Sequence, residues 1–217
     1  MRRIVVLTSN TGTGSNLQAL IDASTTQFNG QIVGVISGKE SAPALWRAKQ
    51  ADIPTQVYDY SEYKEAGKPR VRFEEDLAHT LQIYTPDLIV LAGWRFNFSK
   101  TFLKFFPWRV INLHPGLLGD KPGEPYHFTD GTAADPCYGL CGEMAIQAQL
   151  ASGAPAVGST VHVVMPDTDW GPVIERGMVP VQHGEPAEDA YARLKKKENQ
   201  IIVQALQELC LPMEAVH

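Results

Sequence analysis

Short β-branched runs alternate with amphipathic segments through the first half of the chain, and this alternation restricts the fold more than any other feature. Ile4 to Leu7, Ile32 to Ile36, Thr55 to Tyr58, Leu88 to Leu91 and Arg109 to His114 read as strands. Between them, Ser15 to Ala23, Pro43 to Ala51, Arg70 to Tyr84 and Ser99 to Phe106 read as helices. Leu17, Leu20 and Ile21 share one face of the first helix, and Phe73, Leu77 and Leu81 share one face of the third. Pro43 suits the first turn of its helix. Ser99 is placed to cap the fourth helix and Pro107 to end it. Strands joined through helices require right-handed crossovers, so the expected fold is α/β and Rossmann-like. It is a mostly parallel twisted sheet with helices on both faces.

The second half changes character. Pro115 to Gly142 is rich in Gly, Pro and Asp and has no period; a loop of that length inside a domain is often functional. Glu143 to Ser152 reads as a helix, and Ser159 to Val164 and Val173 to Val181 as strands. Ala187 to Leu209 reads as a long closing helix, with Leu194, Ile201, Ala205 and Leu209 near its inner face. The 217 residues fit one domain, divided into 1–114, an inserted loop 115–142, and 143–217. At 44% hydrophobic residues the chain can bury a core, and a net charge of -5 argues against a nucleic-acid surface. It does not argue against a small anion, which a helix N-terminus can hold. No apolar run reaches the ~18 residues of a membrane span. Met1-Arg2-Arg3 leads straight into the first strand, so no secretory leader is expected. The sparse cysteines Cys137, Cys141 and Cys210 suit a reducing, cytoplasmic compartment.

Three motifs carry chemistry. Thr8-Ser9-Asn10-Thr11-Gly12-Thr13-Gly14-Ser15-Asn16-Leu17 is a glycine-containing turn from strand to helix. Leu17 stands where the dinucleotide fingerprint has its third glycine, and no Gly-Lys-Ser/Thr follows, so the turn is either a monophosphate site or an ordinary tight turn. Asn112 and His114, two apart at a strand's C-terminal end, face the same side where open parallel sheets bind ligands. An amide beside an imidazole suits acyl transfer, although a strand-end histidine is also a common structural residue. Asp167-Thr168-Asp169-Trp170-Gly171-Pro172 offers a carboxylate to support that histidine, or is only a turn. His127, Cys137 and Cys141 lack a fourth ligand, so no metal is expected. Lys195-Lys196-Lys197 reads as a solvated helix face. Trp94, Phe96 and Phe98 read as core or as a platform for a heterocycle.

Taken in order, these motifs resemble the phosphoribosylglycinamide formyltransferase family. The resemblance runs over nearly the whole chain. It rests on Ile4-Val5-Val6-Leu7, Gly14 to Leu20, Pro86 to Trp94, Asn112-Leu113-His114-Pro115 and Asp169 to Ile174. It implies transfer of a formyl group from 10-formyltetrahydrofolate to the amine of glycinamide ribonucleotide, in purine biosynthesis and without a metal. The implied partners are small molecules, not nucleic acid or membrane, for a monomer or homodimer. By resemblance Asn112, His114 and Asp169 are catalytic, with a protonated His114 helping Asn112 to stabilise the oxyanion. Gly14, Ser15, Asn16, Lys195 and Glu198 hold the ribose phosphate. Arg95, Phe96, Asn97, Phe98, Asn112 and Met165, Pro166, Asp167, Thr168, Asp169 line the folate site. Arg70 matches a folate-side arginine, with Arg72 its rival.

The chain departs from the family at three places. Its first loop carries extra threonines. The usual Phe-Met-Arg-Ile-Leu is Trp94-Arg95-Phe96-Asn97-Phe98. The usual His-Pro-Ser-Leu-Leu-Pro is His114-Pro115-Gly116-Leu117-Leu118-Gly119, followed by an insertion reaching Gly142. The insertion is expected to be either a lid over the acceptor amine or a surface elaboration at an oligomer contact. In the lid reading Asp120, Glu124, His127, Asp130 and Asp135 contact the acceptor while Tyr126, Phe128 and Tyr138 anchor the segment. The rival functions are formyl transfer to another amine, such as an amino-sugar nucleotide, hydrolysis of formyl-folate, and a folate or nucleotide binding protein without catalysis.

Overall fold

A computed structural model describes residues 1–24 and 26–211. The chain runs β1 (Arg2–Thr8), α1 (Ser15–Ala23), β2 (Gly30–Ser37), α2 (Pro43–Gln50), β3 (Thr55–Val57), α3 (Tyr60–Glu65), α4 (Arg70–Ile83), β4 (Leu88–Ala92), α5 (Lys100–Phe105), β5 (Val110–His114), α6 (Gly142–Ala151), β6 (Ala156–Val163), β7 (Val173–Pro180) and α7 (Ala187–Leu209). The strands form one seven-stranded sheet in the order β3-β2-β1-β4-β5-β6-β7. The first five are parallel, and β6 and β7 continue the sheet antiparallel. The strand order reverses between β1 and β4, where a doubly wound sheet opens a crevice at its C-terminal edge.

Strand alternation sets the two cores. Ile4 and Val6 of β1 point to a layer with Leu17, Leu20, Leu45, Ile201 and Ile202, under α1, α2 and α7. Val5 and Leu7 point the other way, to Phe73, Leu77, Leu81 and Phe102 under α4 and α5. A smaller cluster of Ile146, Val157, Ala190 and Leu194 joins α6 to α7. Leu77 is wholly buried. Leu77→Ala should therefore lower unfolding free energy by about 2–5 kcal/mol, read as a fall in the urea midpoint at constant slope.

The sequence reading did not include α3. That helix starts where the Asp59 carboxylate accepts the Ser61 N–H at 2.8 Å, and it is too short to show a period. The reading also began β6 at Ser159. The strand starts earlier, at Ala156, because Ala156 and Val157 pair with Pro180 and Val179 across the β6–β7 hairpin.

Candidate active site

A cleft of about 430 Å³ opens beside the ends of β1, β4 and β5. On one side lies the glycine turn. Ser9 Oγ accepts the Thr11 and Gly12 N–H groups at 3.2 and 3.0 Å, which folds the extra threonines into a compact loop. Arg47 of α2 then fastens the loop by donating to the Thr13 carbonyl at 2.9 Å. Gly14 caps α1 with φ 74°, has no side chain to satisfy the first-turn N–H groups, and is followed by no acidic residue in that turn. Those free donors at a helix N-terminus attract an anion. At the floor, Glu198 is almost fully buried and accepts from Lys195 Nζ at 2.8 Å and Ser159 Oγ at 2.8 Å. Burial opposes the Lys195 charge, but Glu198 outweighs it and raises the Lys195 pKa. Lys195 is thus not the solvated residue its charge run suggests. Asn16, which also lines the cleft, donates through Nδ2 to Glu198 at 3.5 Å, and its buried Oδ1 has no partner among the described residues.

On the other side stands a cluster of Asn112, His114, His162 and Asp169. Asp169 lies between two buried imidazoles, its Oδ2 at 3.5 Å from His114 Nδ1 and its Oδ1 at 3.5 Å from His162 Nε2. Its backbone has φ 58°, a left-handed conformation that turns the carboxylate inward. The Gly139 N–H donates to Oδ2 at 3.0 Å. Burial favours a neutral carboxyl, but the flanking His162 and His114, whose cationic forms the carboxylate would pair with, and the Gly139 N–H outweigh it and hold the Asp169 pKa below its usual value. His162 was not foreseen. It is directly opposite Asn112 across the β5–β6 pairing. Its Nδ1 donates to its neighbour's carbonyl, Val163 O, at 2.9 Å, which leaves Nε2 to accept from Asn112 Nδ2 at 3.3 Å. The signal was one polar residue inside an apolar strand, and its meaning depended on a register that no local pattern discloses.

His114 is only 2% exposed. Burial pushes its pKa below the ordinary 6.5, overcoming the pull of Asp169 and of the Pro136 carbonyl. At this site burial thus favours the neutral imidazole. The unfolded ring binds a proton near pH 6.5 and the folded ring does so only at lower pH. Its contribution to stability is therefore complete above 6.5, declines below it, and is gone once pH falls under the folded-state value. Denaturant titrations between pH 7 and 5 should show a shallower loss for His114→Gln than for the unaltered protein.

A second, narrower slot lies behind Asn112. Trp94, Phe96, Asn97 and Phe98 form one wall and Met165, Pro166, Thr168 and Asp169 the other. Asn97 Nδ2 reaches across to Thr168 Oγ1 at 3.1 Å. Trp94 is buried with its Nε1 unpartnered among the described residues. Phe98 is core, stacked on Phe102 at 3.6 Å between centroids. Arg95 turns away and contacts Cys141 Sγ at 3.7 Å. Arg70 pairs with the buried Glu74 at 2.9 Å, donates to the Asn97 carbonyl and lies over the Phe96 ring. Arg72 instead pairs with Asp76 at 2.8 Å, away from the slot. Glu74, also unforeseen, accepts from Ser99 N as well and so ties α4 to the wall.

The insertion reaches this cluster through the Gly139 N–H on Asp169. Asp120 ties the loop to β7 through Arg176 at 2.8 Å, and the other acidic side chains bond within the segment: Glu124 with Lys121 at 3.6 Å, Asp130 with Thr132, and Asp135 with the Cys137 N–H. His127 pairs with Ala133 in a short bridge. Tyr126 and Phe128 pack on each other at 5.2 Å. Gly139, Leu140, Cys141 and Gly142 line the cleft. Among the described residues no group of three His, Cys, Asp or Glu is placed to hold a metal. Burial and the Asp135 carboxylate push the Cys137 thiol up to about 12, which makes it inert. The changed motif after His114 has a steric reason. A Cβ on Gly116 would lie 2.5 Å from Pro136 O, and one on Gly119 would lie 2.4 Å from Glu124 O, so the insertion packs only against glycine at both places.

The family model for formyl transferases matches residues 2–206. The chain belongs to the formyl transferase family. This formyl transferase is 35% identical to the phosphoribosylglycinamide formyltransferase of Escherichia coli over 91% of its own length and 82% of the relative's. It is 36% identical to the enzyme of that name from Saccharomyces cerevisiae, over 94% and 95%. Its fold superposes on glycinamide ribonucleotide transformylase 1 from Symbiobacterium toebii with a TM-score of 0.80 at 33% identity, covering 99% and 92% of the two chains. Among the described residues of this formyl transferase no helix is long and apolar enough to cross a membrane.

Proposed function

We propose that this formyl transferase moves the formyl group of 10-formyltetrahydrofolate onto the amine of glycinamide ribonucleotide, a step of purine biosynthesis. The observation that carries the reading is that Asn112 and Asp169 line both compartments at once. The cleft with the anion-attracting turn is on one side and the aromatic slot is on the other. A phosphorylated amine and a flat heterocycle bound there meet at the catalytic cluster.

The turn at Gly14 to Asn16 takes the phosphate, and Lys195 and Glu198 take the ribose. The wall of Trp94, Phe96, Asn97 and Phe98 and the wall of Met165, Pro166, Thr168 and Asp169 take the pterin, with Arg70 behind them. The lone pair of the amine attacks the formyl carbon, and the carbonyl π electrons move to oxygen. Asn112 spends one Nδ2 hydrogen on His162 and has the other for that oxyanion. The neutral His114 accepts the proton that the attacking nitrogen sheds, and Asp169 stabilises the resulting imidazolium. As the oxyanion collapses, the bond from carbon to the folate nitrogen breaks, its electron pair stays on nitrogen, and His114 returns the proton there. The products are the formylated ribonucleotide and tetrahydrofolate.

The test follows absorbance of tetrahydrofolate formed from formyl-folate, with and without glycinamide ribonucleotide. Turnover that depends on the ribonucleotide is expected. Turnover without it, or only with an amino-sugar nucleotide, would replace this reading by hydrolysis or by another acceptor.

A further inference from the structure

The ring nitrogens of His114 are not equivalently held. Nε2 lies 2.8 Å from the Pro136 carbonyl, whereas Nδ1 lies 3.5 Å from Asp169 Oδ2. The carbonyl and the Asp169 carboxylate both only accept, but the carbonyl alone lies at a normal hydrogen-bond distance, so the neutral ring carries its proton on Nε2. Pro136 does not line the cleft, while Asp169 and Gly139 do. The Nε2 edge is thus turned away from the substrates, and the Nδ1 edge looks toward them.

The inserted segment is fixed at this point by several bonds. The Gly139 N–H is on Asp169, the Cys137 N–H is on Asp135 at 2.8 Å, and Cys137 Sγ donates to the Ala145 carbonyl at 3.3 Å. Cys137 has φ 56°, which turns the chain sharply after Pro136 and aims the proline carbonyl at the ring. Gly116 leaves the room: a Cβ there would lie 2.5 Å from Pro136 O and 2.7 Å from His114 Nε2.

We infer that the Pro136 carbonyl is a positioning group for His114: it locks the ring proton on Nε2 and leaves Nδ1 as the nitrogen that exchanges a proton in formyl transfer. The inference rests on the function proposed above and assigns the insertion a part in it. The other groups facing the ring are Asp169, His162 at 6.2 Å between centroids, and Glu198 with its partner Lys195. None of these supplies an acceptor to Nε2.

Nitrogen-15 NMR of the unaltered protein near pH 8 reads the tautomer directly, with the His114 signals assigned by their loss in His114→Ala. The Nε2–H form is expected, and the Nδ1–H form would overturn the lock. Gly116→Ala tests its consequence. The Gly116 backbone lies outside the left-handed region, so the methyl acts through contact alone. It should lower kcat on the order of 10–100-fold, the scale of a misplaced catalytic group, with both KM values nearly unchanged. The acid limb of the kcat profile should move to lower pH, because a contact that raises the ring's proton affinity is lost. Unchanged kcat and an unmoved limb would overturn the proposal. If Gly116→Ala does not fold, the tautomer decides alone. Full formyl transfer with an Nδ1–H ring removes the lock and leaves the function. An Nε2–H ring without formyl transfer removes the function and leaves the lock.

Discussion

His114→Ala and Asp169→Asn should each lower kcat by roughly 10²–10⁴ while changing either KM little, and the double variant should be scarcely worse than the poorer single one. The imidazole and carboxylate act on one proton. Without the ring the carboxylate has no imidazolium to stabilise, and without the carboxylate the ring remains in a site whose burial opposes its charge. Asn at 169 keeps the shape. Its amide oxygen can still accept the Gly139 N–H, and its amide nitrogen faces His162 Nε2, where it competes with Asn112 for the same lone pair. Asp169→Asn therefore has a second signature. With the carboxylate gone, the His114 pKa drops further, and the residual activity should persist to lower pH. Steady-state kinetics of the two singles and the double, across pH, decide the matter. Losses that multiply in the double variant would show that the two residues act independently.

Gly14→Val should raise the KM for the phosphorylated acceptor at least ten-fold, about 1.4 kcal/mol of binding, while the folate KM stays nearly constant. Two effects coincide there. Gly14 holds φ 74°, which β-branched residues avoid. A Cβ would also lie 2.9 Å from the Ala44 Cα, which is backbone and cannot swing aside. The loop must shift off α2, and the N–H groups at the start of α1 lose their common aim. The aromatic slot is built from other segments and is spared. Separate titrations of the two substrates measure the contrast, and parallel loss of both would show that the substitution had damaged the fold rather than one compartment.

The sheet and its helices were legible because Ile4 to Leu7 or Leu88 to Leu91 can only be buried strands, and Phe73, Leu77 and Leu81 fall on one side of a helix. Local pattern could not show α3, whose few residues include none that is buried. Asn112 and His114 were readable as a pair because a strand fixes their common side. His162 and Glu74 were not, since each acquires its meaning from a partner on another element. That the insertion lies beside His114 was legible, because its base follows that residue in the chain. Its contacts with His114 and Asp169 were not legible. Pro136 and Gly139 make them through the backbone, and composition carries no trace of which carbonyl or N–H will be aimed where.

The floor of the larger cleft joins the two ends of the fold. Asn16 and Glu198 meet there although 182 residues separate them in sequence. Helix α7, which brings Glu198, packs on α1 and on β7. The aromatic slot needs nothing beyond the segment that follows β6. In refolding, then, the two compartments should mature in sequence: burial of Trp94 first, and capture of a phosphorylated amine only once the last helix has docked and the longest loop has closed.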